Sequence, residues 1–358
     1  MSYVSPLIAL PLLAFLLTVA LHVFALRFFP KWDFLDFPER YGLMRRPIPY
    51  PTGILAIVAF LAFFITFEAT LALKPWSLQA CGLIAAILLL ALVTFRDDRR
   101  PLPSSVRLLV QIIVAVVIFL TGTRIYTLTN PLAGLTGLDV LPLHTLQLPI
   151  AALGYPSLLG LLFTVLWLGL TMNALNWFDG IRGQTSLLSV IGFLTIGILS
   201  VSDRVGDFSL GLIAFALAGI ALGCLLFDRP TPLALMGDTG AMFFGLMLGV
   251  LTIFTGGKVA TGFLVLGVPL IDSVIVIIRR LLKGKSVFQG DAQNEHLHHR
   301  LLRKGWTEWR IMTLTAALGA SFGITALFLN TLQKFLAALA LFLIMLWLSV
   351  YSKVEVKG

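Results

Sequence analysis

Apolar runs of about twenty residues, separated by short polar or Pro/Gly-marked breaks, recur along the whole 358-residue chain. A helix needs roughly 20 such residues to cross the hydrocarbon core of a bilayer. Counting on that basis predicts eleven spans, at about 5–29, 52–73, 76–95, 105–124, 155–174, 184–201, 208–227, 239–255, 259–282, 309–329 and 333–351. Lys74-Pro75 divides the second from the third, and Asn330 with Gln333 divides the last two. No repeat of fixed period is present. The first run lacks a basic n-region and a small-residue cleavage site, so it reads as a retained span. The expected fold is all-α, a polytopic integral membrane protein with one transmembrane domain over 1–358. Polar loops fall at about 30–51, 96–104, 175–183, 228–238 and 283–308.

Composition sharpens this picture. Hydrophobic residues make up 58% of the chain and charged residues 12%, about half the usual charged share, and mean hydropathy is +0.98. A soluble fold has no means of hiding that much apolar surface. The formal charge of +9 does not indicate nucleic acid, because no polar segment carries a basic stripe with interleaved aromatics. Its distribution sets topology instead. Of the 26 Lys and Arg residues, 21 follow odd-numbered spans, and only Lys74, Arg124, Arg204, Lys258 and Lys334 lie on the other face. Positive charge collects in the cytoplasm, which places the N-terminus outside and the C-terminus inside. Cys81 and Cys224 lie in apolar runs as packing residues, without disulfide or metal spacing.

The polar constellations all emerge on the face assigned to the cytoplasm. In Lys283–Lys304, KGKSVFQGDAQNEHLHHRLLRK, three of the five histidines, His296, His298 and His299, stand beside Arg300. Imidazoles and cations concentrated at a membrane surface suit an anion. FRDDRR puts Asp97 and Asp98 at the end of the third run. Adjacent carboxylates repel, so one stays protonated or both recruit a cation. The pair reads as an Mg²⁺-assisted site or general base, or else as a solvated charged turn. NALNWFDGIRG sets Asn173, Asn176 and Asp179 along one helix face, with oxygens that suit Mg²⁺. A simple C-cap turn has no need of that register. MGDTGA offers Asp238 and Thr239 as an N-cap pair where a helix start favours an anion, although capping alone would explain it. Asp272, deep in the ninth run beside Ser273, should face the bundle interior. It either lines the cleft or, in the preferred reading, hydrogen-bonds a neighbouring helix. His22 and Glu68 are expected to reach the interfaces. In Asp33–Gly53, Pro47, Pro49 and Pro51 forbid a helix, and Arg45 and Arg46 meet a phosphate or headgroup or set topology. The nearly uncharged stretch Ile125–Pro156 is expected on the outer interface, with His144 incidental.

With these residues assembled, the chain resembles the bacterial polyprenyl-phosphate N-acetylhexosamine-1-phosphate transferases. The resemblance runs from PIPYPTG through DD, NxxNxxDG and MGDTG to VPLIDSVIVIIRRLLKGKSVFQGD and HLHHRLL, in that order and on one face. The short loop ending in HLHHRLL is more similar to the branch using UDP-N-acetylhexosamines than to the branch using UDP-muramoyl-pentapeptide. The resemblance implies that polyprenyl (undecaprenyl) phosphate attacks the β-phosphate of a UDP-sugar, releasing UMP and starting a lipid-linked glycan for cell-wall or surface polysaccharide. It implies Mg²⁺, with Mn²⁺ as a substitute, on Asp238 and Asp98. Asp97 and Asp98 would position the lipid phosphate, and His298 and His299 would take part in catalysis. Asn173, Asn176 and Asp179 would border the nucleotide-sugar pocket. His296, with Arg300, would grip the diphosphate, and Arg107, Arg45 and Arg46 would add substrate contacts. The implied setting is the inner (plasma) membrane, multi-pass, with the site facing the cytoplasm. The partners are the lipid, the UDP-sugar and the bilayer, and a homodimer is compatible. Two like charges ~4 Å apart at an effective dielectric of ~20 repel by about 4 kcal/mol, roughly three orders of magnitude in rate, which is why such a site needs fixed cations.

The chain departs from the family pattern where Arg182 replaces the second acid of DGxDG, and where Pro101, Arg107 and the Gly42–Arg46 segment replace other usual residues. Two rival readings remain open on sequence alone. One is a transporter or flippase of an anionic lipid or metabolite, which would place its ionisable site near the bilayer midplane, where only Asp272 falls. The other is a weakly active lipid-binding relative, prompted by Arg182.

Overall fold

The structure is a computed structural model that describes residues 4–41, 44–72, 75–149, 156–255, 259–285 and 295–352. Lys74, Lys258, Lys353, Lys357, Gly42-Leu43 and the SVFQGD element of the polar stretch at 283–304 lie outside the described residues. The helices are α1 (Val4–Phe28), α2 (Gly53–Thr70), α3 (Leu78–Arg99), α4 (Ser104–Leu120), a short α5 (Ala133–Thr136), α6 (Leu158–Phe178), α7 (Gln184–Val201) and α8 (Phe208–Asp228). They continue with α9 (Gly237–Phe254), α10 (Val259–Val265), α11 (Gly267–Leu282), α12 (Leu297–Arg303), α13 (Glu308–Phe328) and α14 (Thr331–Tyr351).

Every expected span falls on helical chain, and among the described residues nine helices are long and apolar enough to cross a membrane. Two spans differ from expectation. α4 is apolar but only 17 residues long. The ninth run is broken into α10 and α11 around Leu266. Pro269 lacks an N–H and so leaves the Val265 carbonyl without its i+4 donor, which accounts for a break at that point. The stretch after α4 also holds more structure than its composition suggests. β1 (Thr127–Thr129) pairs antiparallel with β2 (Val140–Pro142) in the register Leu128↔Leu141.

α9 is the centre of the bundle. Sixteen of its 18 residues are buried, and α2, α3, α6, α7 and α8 pack around it. With lipid on the outside there is little hydrophobic drive between helices, so close packing of small residues takes over. At Gly245 a Cβ would lie 2.6 Å from the Thr171 carbonyl oxygen and 2.7 Å from Met172 Cα, so the backbones of α6 and α9 touch there. α1 and α14 are peripheral, with exposed leucines such as Leu13 and Leu343. His22 and Glu68 are both buried within the bundle. His22 is buried, bonded through Nδ1 to the Thr18 carbonyl at 2.9 Å and stacked on Phe227 of α8. Glu68 accepts the Trp76 N–H at 3.0 Å and so fastens the α2–α3 turn. A buried polar group in an apolar bundle is retained only where it finds a partner, and both have one.

The contact at Gly245 gives a direct test. Gly245→Ala forces α6 and α9 apart at an overpacking cost of about 1–3 kcal/mol, read as a lowered melting temperature in detergent. An unchanged melting temperature would mean that this crossing bears no part of the stability.

Candidate active site

The first group of site residues is fixed where α3 ends against the start of α9. α9 needs donors satisfied at its first turn, and its own N-cap residue Met236 supplies no side-chain bond. Asp98 supplies it from α3. Its Oδ1 accepts the Asp238 N–H at 2.9 Å, and its Oδ2 accepts the Thr239 N–H at 3.0 Å and the Thr239 hydroxyl at 2.6 Å. Tyr50, from the first loop, donates its hydroxyl to Oδ1 at 2.7 Å. Asp97 faces the other way. Its Oδ1 accepts the Leu102 N–H at 2.6 Å, and its Oδ2 lies 3.3 Å from Arg107 Nη1 on α4. The same Nη1 is 3.4 Å from Asp238 Oδ2, so one guanidinium bridges Asp97 and Asp238.

The second group forms where the C-terminal end of α6 meets α12. His298 is buried with its Nε2 pressed onto Gly180, where a Cβ would sit 2.1 Å away. Glycine at 180 is therefore what lets the imidazole in. The His296 and His298 rings are stacked at 5.9 Å, and His298 and His299 are 4.2 Å apart. Phe178 and Trp177 border them. Asp238 joins the two groups, since its charge acts on Asp179 and the Asn176 side chain lies beside its carboxylate.

Buried polar atoms are almost always paired, so exceptions ask for a reason. Seven buried side-chain polar atoms among the described residues have no partner, and five belong here. They are Asn176 Nδ2, Asp179 Oδ1, Asp228 Oδ1 and both ring nitrogens of His298. Donors and acceptors left unspent at the junction of α6, α8, α9 and α12 are what a polar ligand would complete.

The sequence matches the family model for glycosyl transferase family 4 over residues 80–256, a span that contains Asp97, Asp98, Arg107, Asn173, Asn176, Asp179 and Asp238. Over that span the chain is similar to glycosyl transferase family 4. It is 29% identical over 265 residues to the probable undecaprenyl-phosphate N-acetylglucosaminyl 1-phosphate transferase of Bacillus subtilis, covering 72% of this chain and 68% of that protein. It is 26% identical over 313 residues to the undecaprenyl-phosphate alpha-N-acetylglucosaminyl 1-phosphate transferase of Escherichia coli K12, covering 84% and 80%. A phospho-N-acetylmuramoyl-pentapeptide-transferase of Staphylococcus carnosus is 25% identical over 246 residues, covering 67% and 70%.

Within this bundle, the residues singled out from sequence divide into those that are available and those already committed. Asp238, Asn176, Asp179, His296, His298 and His299 gather with Arg107 and Asp97 at one rim. Asp98 is also there, but its oxygens are filled by four hydrogen bonds. Asn173 is held in a reciprocal amide pair with Gln111 of α4, at 2.6 and 3.2 Å. Arg300 turns away from the imidazoles and donates to the Ser349 carbonyl at 2.7 Å and its hydroxyl at 3.2 Å on α14. Arg45 is paired with Asp36, and Arg46 is exposed. Sequence reasoning missed Asp228, whose Oδ2 accepts from the Gly183 N–H at 3.4 Å and the Ser186 hydroxyl at 3.5 Å. Its signal was an acid at the end of a span whose parity matches the other acidic ends. Gln111 also went unnoticed, inside an apolar run.

Two titrations outside the spans follow from burial. The His298 imidazole is held well below its ordinary 6.5 by burial, with the charges of His299 and His296 adding to the effect, so it is neutral near pH 7. Asp179 is pushed well above its ordinary 3.8 by burial and then by Asp228, against Arg182 and a hydrogen bond from Thr185. A carboxyl raised in the folded state keeps its proton after the unfolded chain has lost its own, so folding stability falls as pH rises above about 3.8. In metal-free protein, Asp179→Asn should therefore raise the melting temperature more at pH 8 than at pH 5. An equal change at both pH values would contradict the burial of an uncompensated carboxyl.

Proposed function

We propose that the chain transfers a sugar-1-phosphate, N-acetylhexosamine-1-phosphate, from a UDP-sugar to polyprenyl phosphate, releasing UMP. The observation that carries this reading is the set of unspent polar atoms on Asp179, Asp228 and His298, gathered beside Asn176, Asp238 and Arg107. The relatives' acceptors, undecaprenyl phosphates by name, support a lipid acceptor here. In the reaction a lipid phosphate oxygen forms a bond to the β-phosphorus of the donor, the bond between that phosphorus and the bridging oxygen breaks, and UMP leaves with the electron pair. The Lys/Arg bias of 21 of 26 supports a cytoplasmic rim and an outside N-terminus. There the soluble donor meets an acceptor that cannot leave the bilayer.

The residues fit a divalent cation only in part. Among the described residues no three His, Cys, Asp or Glu side chains are grouped to hold a metal. Asp98 has no free oxygen. Asp238, a third exposed, and Asp179, with its unpartnered oxygen, are hard donors that suit Mg²⁺, which usually takes one or two carboxylates and fills the remaining positions with waters and substrate phosphates. When bound on these two residues, Mg²⁺ would supply neutralising charge to the phosphates. Arg107 is the cation fixed by the chain itself, held by Asp97 and Asp238, with His299 and His296 presenting ring nitrogens to the anionic donor. Asp98 orients Asp238 by capping the turn that carries it. A transport site has less support, because Asp272 is committed to His296 and the backbone of α12.

Purified protein given UDP-GlcNAc, undecaprenyl phosphate and Mg²⁺ should release UMP. Chelation should stop the reaction, and Mg²⁺ or Mn²⁺ should restore it. Asp238→Asn should lower the rate by about a hundredfold to a thousandfold, and Asp98→Asn should lower it through the position of α9. Substrate-dependent transport in proteoliposomes without UMP, or near-wild-type rates in both variants, would overturn the reading.

A further inference from the structure

α12 is seven residues long, too short to hold itself together, and its N-cap residue His296 gives it no side-chain cap. The cap comes from Asp272 on α11, 25 positions away, whose Oδ1 accepts the Leu297 N–H at 3.0 Å. The other oxygen, Oδ2, lies 2.8 Å from His296 Nδ1. Asp272 is 4% exposed and His296 2%, so the contact is shielded from water. A carboxylate only accepts. With Oδ1 receiving the amide hydrogen, the bond to Oδ2 requires a hydrogen on Nδ1, which leaves Nε2 as the ring nitrogen that can take up a proton and donate it to an anionic substrate. The ring plane is fixed as well, between Trp177 at 5.8 Å and the stacked His298 at 5.9 Å.

We propose that Asp272 is the positioning residue of the histidine cluster: it fixes the orientation of the His296 ring and holds the hydrogen on Nδ1, so that a second proton taken up at Nε2 is donated to the phosphates of the donor while the carboxylate balances the imidazolium. This rests on the transferase reading for the identity of the anion, but the Asp–His pair itself does not depend on it. Among the described residues His298 and His299 have no such partner. His298 has neither nitrogen bonded, which distinguishes His296 as the oriented member. Charge-assisted hydrogen bonds are about twice as strong as neutral ones, so the pairing bears directly on how firmly a diphosphate is held.

Asp272→Asn is the informative variant. An amide has one accepting oxygen, and the Leu297 N–H has no alternative but to take it, so the amide NH₂ must face Nδ1. The ring then has to move its hydrogen to Nε2. The cap and the volume survive while the tautomer inverts. In ¹⁵N-histidine-labelled protein, long-range proton–nitrogen correlation should show a hydrogen on Nδ1 of one ring, assigned to His296 by its loss in His296→Gln. That hydrogen should be absent in Asp272→Asn, with the melting temperature little changed. The neutral Nε2–H still donates to a phosphate, but without the carboxylate the charge-assisted bond is lost, so UMP release should fall about tenfold in kcat/KM. In the His296→Gln background, Asp272→Asn should cost little further, as two residues acting as one unit do.

Full activity of Asp272→Asn beside an active wild type would overturn the positioning role and leave the transferase reading intact. An additive penalty in the double variant, with a lowered melting temperature, would reduce Asp272 to a helix cap and overturn it equally. If the wild type releases no UMP, the transferase reading falls. The ring spectrum then decides the pair, and a wild-type His296 without a hydrogen on Nδ1 would overturn it.

Discussion

Among apolar neighbours an unpaired backbone N–H costs several kcal/mol, and a helix begins with several of them. In this bundle the starts of α9 and α12 are not closed by their own N-cap side chains. Carboxylates from other helices close them, Asp98 from α3 and Asp272 from α11. Each uses both oxygens. Each therefore sets the position of a polar residue at the helix start it serves, Asp238 in one case and His296 in the other. Satisfying the backbone and assembling the site are the same event, which is why neither acid can be assigned to structure or to chemistry alone.

The gathered acids explain the departure from the family pattern at position 182. Asp179 and Asp228 are buried next to one another, and the half-buried Arg182 places a positive charge where it opposes both. Where the family pattern would put a further acid, this chain puts a counter-charge. Arg107 does the same for Asp97 and Asp238. The rim gathers five acids against two arginines, and with buried Asp179 holding its proton the remaining negative charge would still repel a phosphate-rich substrate unless a further cation made up the difference.

Much of this was legible in the chain. Hydrophobic run length is a strong signal because lipid leaves a backbone few alternatives to a helix, so all the expected spans fall on helices, and the acidic ends and the histidines meet as span parity required. What sequence could not give was which polar side chains spend their bonds on the protein. Asn173 and Arg300 look like ligand contacts in a motif, yet one clamps α4 through Gln111 and the other closes onto Ser349, and only three-dimensional neighbours reveal that. Asp228 was missed because a single acid beside arginine reads as surface charge until its burial is known. The break between α10 and α11 was marked by Gly267 and Pro269, but hydropathy averages over such breaks. The β1–β2 pair was missed because three-residue strands leave too little alternation to read.

The link between Arg300 and Ser349 carries a consequence for biogenesis. Helices bearing the acids enter the bilayer early during synthesis, but α12 is secured on its far side only once α14, which follows it in the chain, has inserted and offered the Ser349 carbonyl. Lys304 reaches the Tyr351 carbonyl and ring in the same region. Until α14 arrives, α12 is thus held only from one side, by Asp272 of α11 and the fit of His298 against Gly180.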